Sequence, residues 1–274
     1  MPLTVALIRA SLPTYFPERH GVWAAAEEAL GAVCAATGAR LFVDPNIPMD
    51  ARAARAALDR AERDGAGFVL LLHGGFTMGD VSREVALWRG PVGFWAVPEP
   101  VLEGDVELNG FVSLHMSMGL ARGVRDLRAR PAAWFHGAPS NPALRARLSR
   151  TLRALGALHA LRGARVGVVG GLAPTFHNLA VDEGALLAAL GVAVSQHDIG
   201  ELQGRMRAMD PARAASEVSR MEAAAGGLAG DALDLSARAA LALRDMAEAG
   251  GHAALAVSDW PALQADPGMH PGAA

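Results

Sequence analysis

The sequence predicts an α/β protein built as two doubly wound parallel-sheet units, the second of them cut short. Unbroken apolar runs such as GFVLLLH at 67–73 and RVGVVGG at 165–171 read as strands buried on both faces. These runs alternate with segments of helical apolar spacing, as parallel sheets with helical crossovers require. The pattern then restarts after Gly163.

The elements follow in order. LTVALIR at 3–9 is the first strand, and Pro13 and Pro17 break the chain after it. A helix over 21–37 ends at Gly38, a residue suited to a left-handed cap. Residues 40–43 form a strand stopped by Asp44 and Pro45, and Asp50 is placed to cap a helix running to 63. Strand 67–73, a short helix over 80–88 and strand 91–97 come next. A loop rich in Pro, Glu and Gly over 98–109 leads to a helix over 110–128 with Asn109 at its N-cap, then a fifth strand at 132–136. Asn141 and Pro142 open a helix to 161, Asn favouring the cap and Pro the first turn.

Beyond a boundary near Gly163, strands are expected at 165–171, 191–197 and 253–257. Helices are expected at 182–190, 199–209, 211–225 and 233–249, with a glycine-rich break at 226–230. The predicted domains are therefore 1–162 and 163–274. Because only three strands precede the end of the sequence, the second domain is expected to be incomplete.

Composition removes several chemistries. The chain has 274 residues, 51% hydrophobic and 19% charged, which suits two domains of ~100–200 residues and argues against disorder. All 25 basic residues are arginines. Schiff-base catalysis and a phosphate-binding P-loop both need lysine, so neither is available. The one cysteine, Cys34, lies on the apolar side of a predicted helix and reads as buried and structural. Net charge is −3 with no basic patch, which disfavours nucleic acid as a partner. No segment reads as membrane-spanning or as a signal peptide, so no membrane partner and a cytoplasmic location are expected.

In open α/β sheets the functional groups gather beyond the carboxyl ends of strands. In the first domain that edge receives Arg9, His73 to Gly75 and Trp95 to Glu99. Such a set suits a polyhydroxylated ligand: Arg and Glu bond hydroxyls, and an aromatic face covers C–H bonds. Taken singly, Trp95 reads as packing under a helix. In the second domain, strand 165–171 runs into Gly170, Gly171, Pro174, Phe176 and His177, with Asp198 after the next strand. A dinucleotide site would place glycines where Pro174, Phe176 and His177 stand, and GxGxxG is absent. This loop either presents Phe176 and His177 to a small polar ligand or is a structural turn.

Other polar clusters read more simply. Asp182 with Glu183, Asp198 with Glu201, and Asp231 with Asp234 sit where helix caps are expected. Met116 and Met118 cannot share a helix face, and His115 between them reads as structural. The histidines show no HExxH spacing, and no complete metal site is evident.

Four stretches together carry a resemblance: PVGFWAVPEP at 91–100, LNGFVSLHMSMGLA at 108–121, RVGVVGGLAPTFHNLAVDEGALLAALGV at 165–192 and SDWPALQADPGMHP at 258–271. Their order and spacing resemble the N-terminal part of the L-fucose/L-arabinose isomerase-like family, in its fucose isomerase-like branch. Asp259 stands where family members often carry Cys. The resemblance implies two Rossmann-like domains in a metal-dependent aldose–ketose isomerase that works through an ene-diol, usually with Mn2+, and assembles as a homo-oligomer. It places the metal ligands and catalytic residues beyond Ala274. No metal and no catalytic residue is thus expected within this chain, which alone would be inactive. What it implies for this chain is sugar recognition by Phe176 and His177, with Arg9 and Trp95 completing a neighbouring subunit's site. A non-catalytic sugar-binding or regulatory α/β protein is the alternative.

Overall fold

The computed structural model describes residues 2–127, 130–225, 231–258 and 260–265. The chain divides into two compact units, Met1–Ala160 and Leu161–Ala274. Both are α/β. In the first, β1 (Thr4–Ala10), β2 (Arg40–Val43), β3 (Ala66–His73), β4 (Val92–Ala96) and β5 (Ala132–His136) form one sheet. Their order is β2-β1-β3-β4-β5, and every pairing is parallel.

The alternation of side chains along each strand builds two cores. Val5, Leu7, Leu70, Leu72 and Trp95 face α1 (Val22–Thr37) and α5 (Pro142–Leu161), meeting Trp23, Leu30 and Leu148. Ala6, Ile8, Val69, Leu71 and Phe94 face α2 (Ala51–Arg63), α3 (Gly79–Leu87) and α4 (Gly110–Val124), meeting Ala57, Val85 and Leu114. Each large side chain fully buried this way contributes about 1.5–3 kcal/mol. The predicted caps form at three helix ends. Gly38 is left-handed (φ 70°), Asp50 accepts from Ala53 N at 2.7 Å, and Asn141 accepts from Ala143 N at 2.8 Å.

Two expectations fail around α4. Asn109 occupies the N-cap position but in a left-handed conformation, and its side chain does not cap. The Glu99 carboxylate instead accepts from Leu108 N and Asn109 N, at 2.9 and 2.6 Å. At the other end, the helix stops at Val124 rather than at 128. Arg128 itself lies outside the described residues. Arg125 leaves helical geometry, and its buried guanidinium donates to the carbonyls of Ala86, Trp88 and Gly90, each at 2.7 Å, and of Arg130 at 3.1 Å. A helical residue at 125 could not reach all four acceptors.

In the second unit β6 (Arg165–Val169), β7 (Ala193–His197) and β8 (Ala254–Val257) pair in parallel in the order β7-β6-β8. The helices are α6 (Glu183–Leu190), α7 (Ile199–Arg207), α8 (Pro211–Ala225), α9 (Asp231–Gly250) and a short α10 (Ala262–Ala265) that the sequence did not predict. Asp182 and Asp198 cap α6 and α7, accepting from Ala185 N and Gly200 N. Val169, Leu202, Met206, Met246 and Leu263 form this unit's core. No α6 side chain is buried. The expected glycine break at 226–230 and the segment 266–274 lie outside the described residues. Among the described residues no helix is long and apolar enough to cross a membrane.

Replacing Arg125 by Met removes all four donated bonds and leaves buried carbonyls unpaired. Urea unfolding should show a loss of about 3 kcal/mol, with no change in far-UV circular dichroism of the folded state.

Candidate functional site

The strand orders specify where to look. When strand order reverses beside the first strand of a parallel sheet, a crevice opens outside the carboxyl ends at that point. In the first unit the point lies between β1 and β3, and it is packed shut. A Cβ on Gly74 would lie 2.2 Å from the Trp23 ring; one on Gly75 would lie 2.4 Å from Ser11 Oγ and 2.7 Å from Tyr15 Cβ. These two glycines let the turn after β3 close against the loop after β1.

His73, at the end of β3, is fully buried. Its Nδ1 lies 3.0 Å from Thr77 Oγ1 and its Nε2 3.0 Å from Ser117 Oγ, which also donates to Ser82 Oγ at 2.8 Å. Burial pushes its pKa from 6.5 down to about 3, so the ring is a neutral strut between β3 and α4. Arg9 is similarly committed. It donates to Glu27 Oε1 at 2.9 Å and to the carbonyls of Asp44 and Pro45 at 3.1 and 3.3 Å, tying the end of β1 to α1 and the end of β2. Trp95 has no exposed surface, and its Nε1 donates to the Gly137 carbonyl at 3.0 Å. The packing reading accounts for Trp95, because a central strand with helices on both sides leaves its ring no route to solvent. Glu99 serves α4 rather than the edge.

In the second unit the reversal lies between β6 and β8, and here the crevice is open. A groove of about 560 Å3 is lined by Val168, Gly171, Leu172, Val257, Ser258 and the 179–181 segment, with Glu183 and Gln196. The register sets Val168 beside Gln196 and Ala256 on one face, and Val169 beside His197 and Val257 on the face of the core. The groove is thus the uncovered face of this sheet at its carboxyl edge. Its polar groups are few: Gln196 Nε2 donates to Glu183 Oε1 at 2.6 Å, and Ser258 Oγ donates to the Trp260 carbonyl at 3.3 Å. Phe176, on the loop between the lining residues Ala173 and Leu179, and Trp260, two residues beyond the lining residue Ser258, form a T-shaped pair with centroids 6.3 Å apart and an interplanar angle of 66°. A second cleft of about 220 Å3 lies between α7 and α9, away from the strand ends.

The comparisons belong with this geometry. This chain is similar to sulfoquinovose isomerases. Those of Priestia aryabhattai and Priestia megaterium are each 32% identical to it over 114 residues, 42% of this chain. The matched segment covers 25% of the length of each relative. No family model matches the chain. The relation is therefore to sugar isomerases, without singling out the fucose isomerase-like branch.

Of the residues assigned to the sugar, Phe176 and His177 lie exposed on the loop after β6, His177 opening a 3-10 turn over His177–Leu179. Arg9 and Trp95 lie in the first unit, committed as described. Trp260, Gln196 and Ser258 were not assigned to a site by the sequence reasoning, and Glu183 was read as part of a helix cap. The signal for Trp260 was available, since an aromatic just beyond a strand end falls on the functional edge. Asp259 lies outside the described residues. On the core face, His197 Nε2 and His252 Nε2 are 2.8 Å apart and His197 Nδ1 is 3.2 Å from Glu201, so one imidazole donates to the other. Burial first, then His197 and Arg165, lowers the His252 pKa.

His73 gives a pH signature. The unfolded chain takes up its proton near 6.5 and the folded chain only near 3, so its contribution is present above 6.5 and is lost as pH falls toward 3. Urea unfolding at about pH 7 and about pH 5 should show His73→Gln to be less stable than the unaltered protein at the higher pH. Its stability should also fall less on acidification, by up to about 1.4 kcal/mol per pH unit.

Proposed function

We propose that this chain is the sugar-binding part of an aldose–ketose isomerase whose substrate is a sulfonated hexose. The observation that carries the reading is the 32% identity to sulfoquinovose isomerases. The open groove at the strand-reversal point of the second unit supports it, being of the size and character that accommodates one small ligand. The residues read as contacting the sugar are Phe176 and His177, on the loop beside that groove. Arg9 and Trp95 remain candidates only in a rearranged or partner-completed site, given their present bonds.

The proposed reaction moves a proton between adjacent carbons through an ene-diol. Mn2+ is the cofactor proposed for the complete enzyme. Among the described residues no group of three or more His, Cys, Asp or Glu side chains is placed to hold a metal ion, so these residues do not fit the ion and no step is assigned through it. What the described residues offer is binding: a carboxylate at Glu183, an amide at Gln196 and a hydroxyl at Ser258 to meet sugar hydroxyls. A homo-oligomer working in the cytoplasm belongs to the same proposal. The exposed apolar side chains Phe111 and Val112 on α4 support an assembly.

The test is turnover. Sulfoquinovose, L-fucose and L-arabinose are incubated with Mn2+ and the complete enzyme that contains this chain, in deuterated water, and followed by NMR. The expected result is a ketose product from sulfoquinovose with deuterium entering at the transferred position. Metal-independent thermal stabilisation by a sugar, with no ketose formed, would shift the reading to a non-catalytic sugar-binding protein. No product and no stabilisation would overturn both.

A further inference from the structure

The groove is specific about which end of a sugar it can receive. We propose that Trp260, braced edge-on by Phe176, is the stacking surface for the uncharged ring of the sugar, that Glu183 accepts from its hydroxyls, and that the sulfonate is not held in this groove. The inference rests on the sugar-isomerase reading and adds the binding mode.

Three observations carry it. Trp260 and Phe176 remain 42% and 47% exposed although their rings touch, so the pair is neither core nor isolated surface. Both rings are held in place. Leu263, three residues beyond Trp260, is fully buried in the core of the unit, and Ser258, two residues before it, donates its N–H to the Val169 carbonyl at 2.8 Å. Phe176 is fixed by its own N–H to the Ala173 carbonyl at 3.2 Å and by Leu179 N–H to the Phe176 carbonyl at 2.9 Å. An indole held with its surface toward solvent covers the C–H face of a sugar ring at little entropic cost, having few torsions to immobilise.

The charge of the groove gives the orientation. Among the described residues Glu183 is the one ionisable side chain lining it, and no arginine or histidine does. The bond from Gln196 occupies Oε1 and leaves Oε2 to accept from a sugar hydroxyl. A sulfonate in the same space would face a carboxylate with no cation to offset it, a like-charge approach in a partly desolvated site. The neutral hydroxyl-bearing part of the ring has no such conflict.

The experiment is calorimetric titration of the protein with sulfoquinovose and with its unsulfonated counterpart, 6-deoxyglucose. The unaltered protein should bind both with affinities within about threefold. Trp260→Ala should weaken both by about tenfold, while Trp260→Phe, which keeps an aromatic face, should lose no more than about threefold. Glu183→Gln should weaken both sugars alike, by about threefold, since the ring hydroxyls it accepts from are common to the two. Melting curves on each variant establish that it is folded, and Phe176→Leu gives an independent variant of the same surface. Unchanged binding in folded Trp260→Ala overturns the assignment while leaving the isomerase reading in place. So does a preference of more than about a hundredfold for the sulfonated sugar, since that requires a cation in the groove. Binding of neither sugar by the unaltered protein also overturns it, and the turnover test then decides the broader reading.

Discussion

Parallel pairing is the constraint on which the rest of this structure depends. When all strands run one way, their carboxyl ends share an edge, and everything delivered there competes for the same space. The two units resolve that competition differently. In the first, Trp23, Tyr15 and Ser11 fill the reversal point so closely that only glycine fits at positions 74 and 75. In the second, the corresponding point is bordered by Gly171 and Ser258 and stays open. The same topology therefore gives a closed scaffold in one unit and a ligand-sized groove in the other.

The polar groups of the first unit are consistent with a scaffold. A buried imidazole without partners would cost several kcal/mol, yet both nitrogens of His73 meet hydroxyls, and Ser117 and Ser82 extend the network into α3 and α4. Arg125 binds carbonyls at the opposite end of the same layer. Arg60 closes on Asp44, whose carboxylate is fully buried, with bonds of 2.8 and 2.9 Å. Charged and polar side chains that a sequence reading places on a functional edge are here fixing the ends of strands and helices to one another.

That difference explains what was legible in the sequence. Strands in this chain are unbroken apolar runs, and helices are bounded by Asp50, Gly38, Asn141 and Asp198, so element type and order follow from local chemistry. The stop of α4 at Val124 does not, because it depends on carbonyls of Ala86, Trp88 and Gly90 that are distant in sequence. The site was half legible for a related reason. Position after a strand placed Phe176 and His177 on a loop that is exposed, but it could not distinguish an edge that is open from one that is packed. Arg9 and Trp95 satisfy the same positional rule and are consumed by Glu27 and by the Gly137 carbonyl. Trp260 satisfies it too and remains half-exposed, in a unit whose helix α6 has no buried side chain.

The arginine-only composition bears on the proposal of a sulfonated substrate. Without lysine, any sulfonate contact made by this chain through a permanent cation must come from arginine, whose planar fork binds such a group through two parallel bonds. In the second unit five of the described arginines are paired with carboxylates: Arg205 with Glu201, Arg213 with Asp245, Arg220 and Arg244 with Glu217, and Arg238 with Asp234. Glu217 is held far below the usual carboxylate range, at about 2, by Arg220 and Arg244, so it stays ionised at any working pH between two guanidinium groups. A groove whose described lining holds one carboxylate has chemistry for hydroxyls and C–H bonds. In the proposed binding mode, recognition of the anionic end is a separate task from holding the ring.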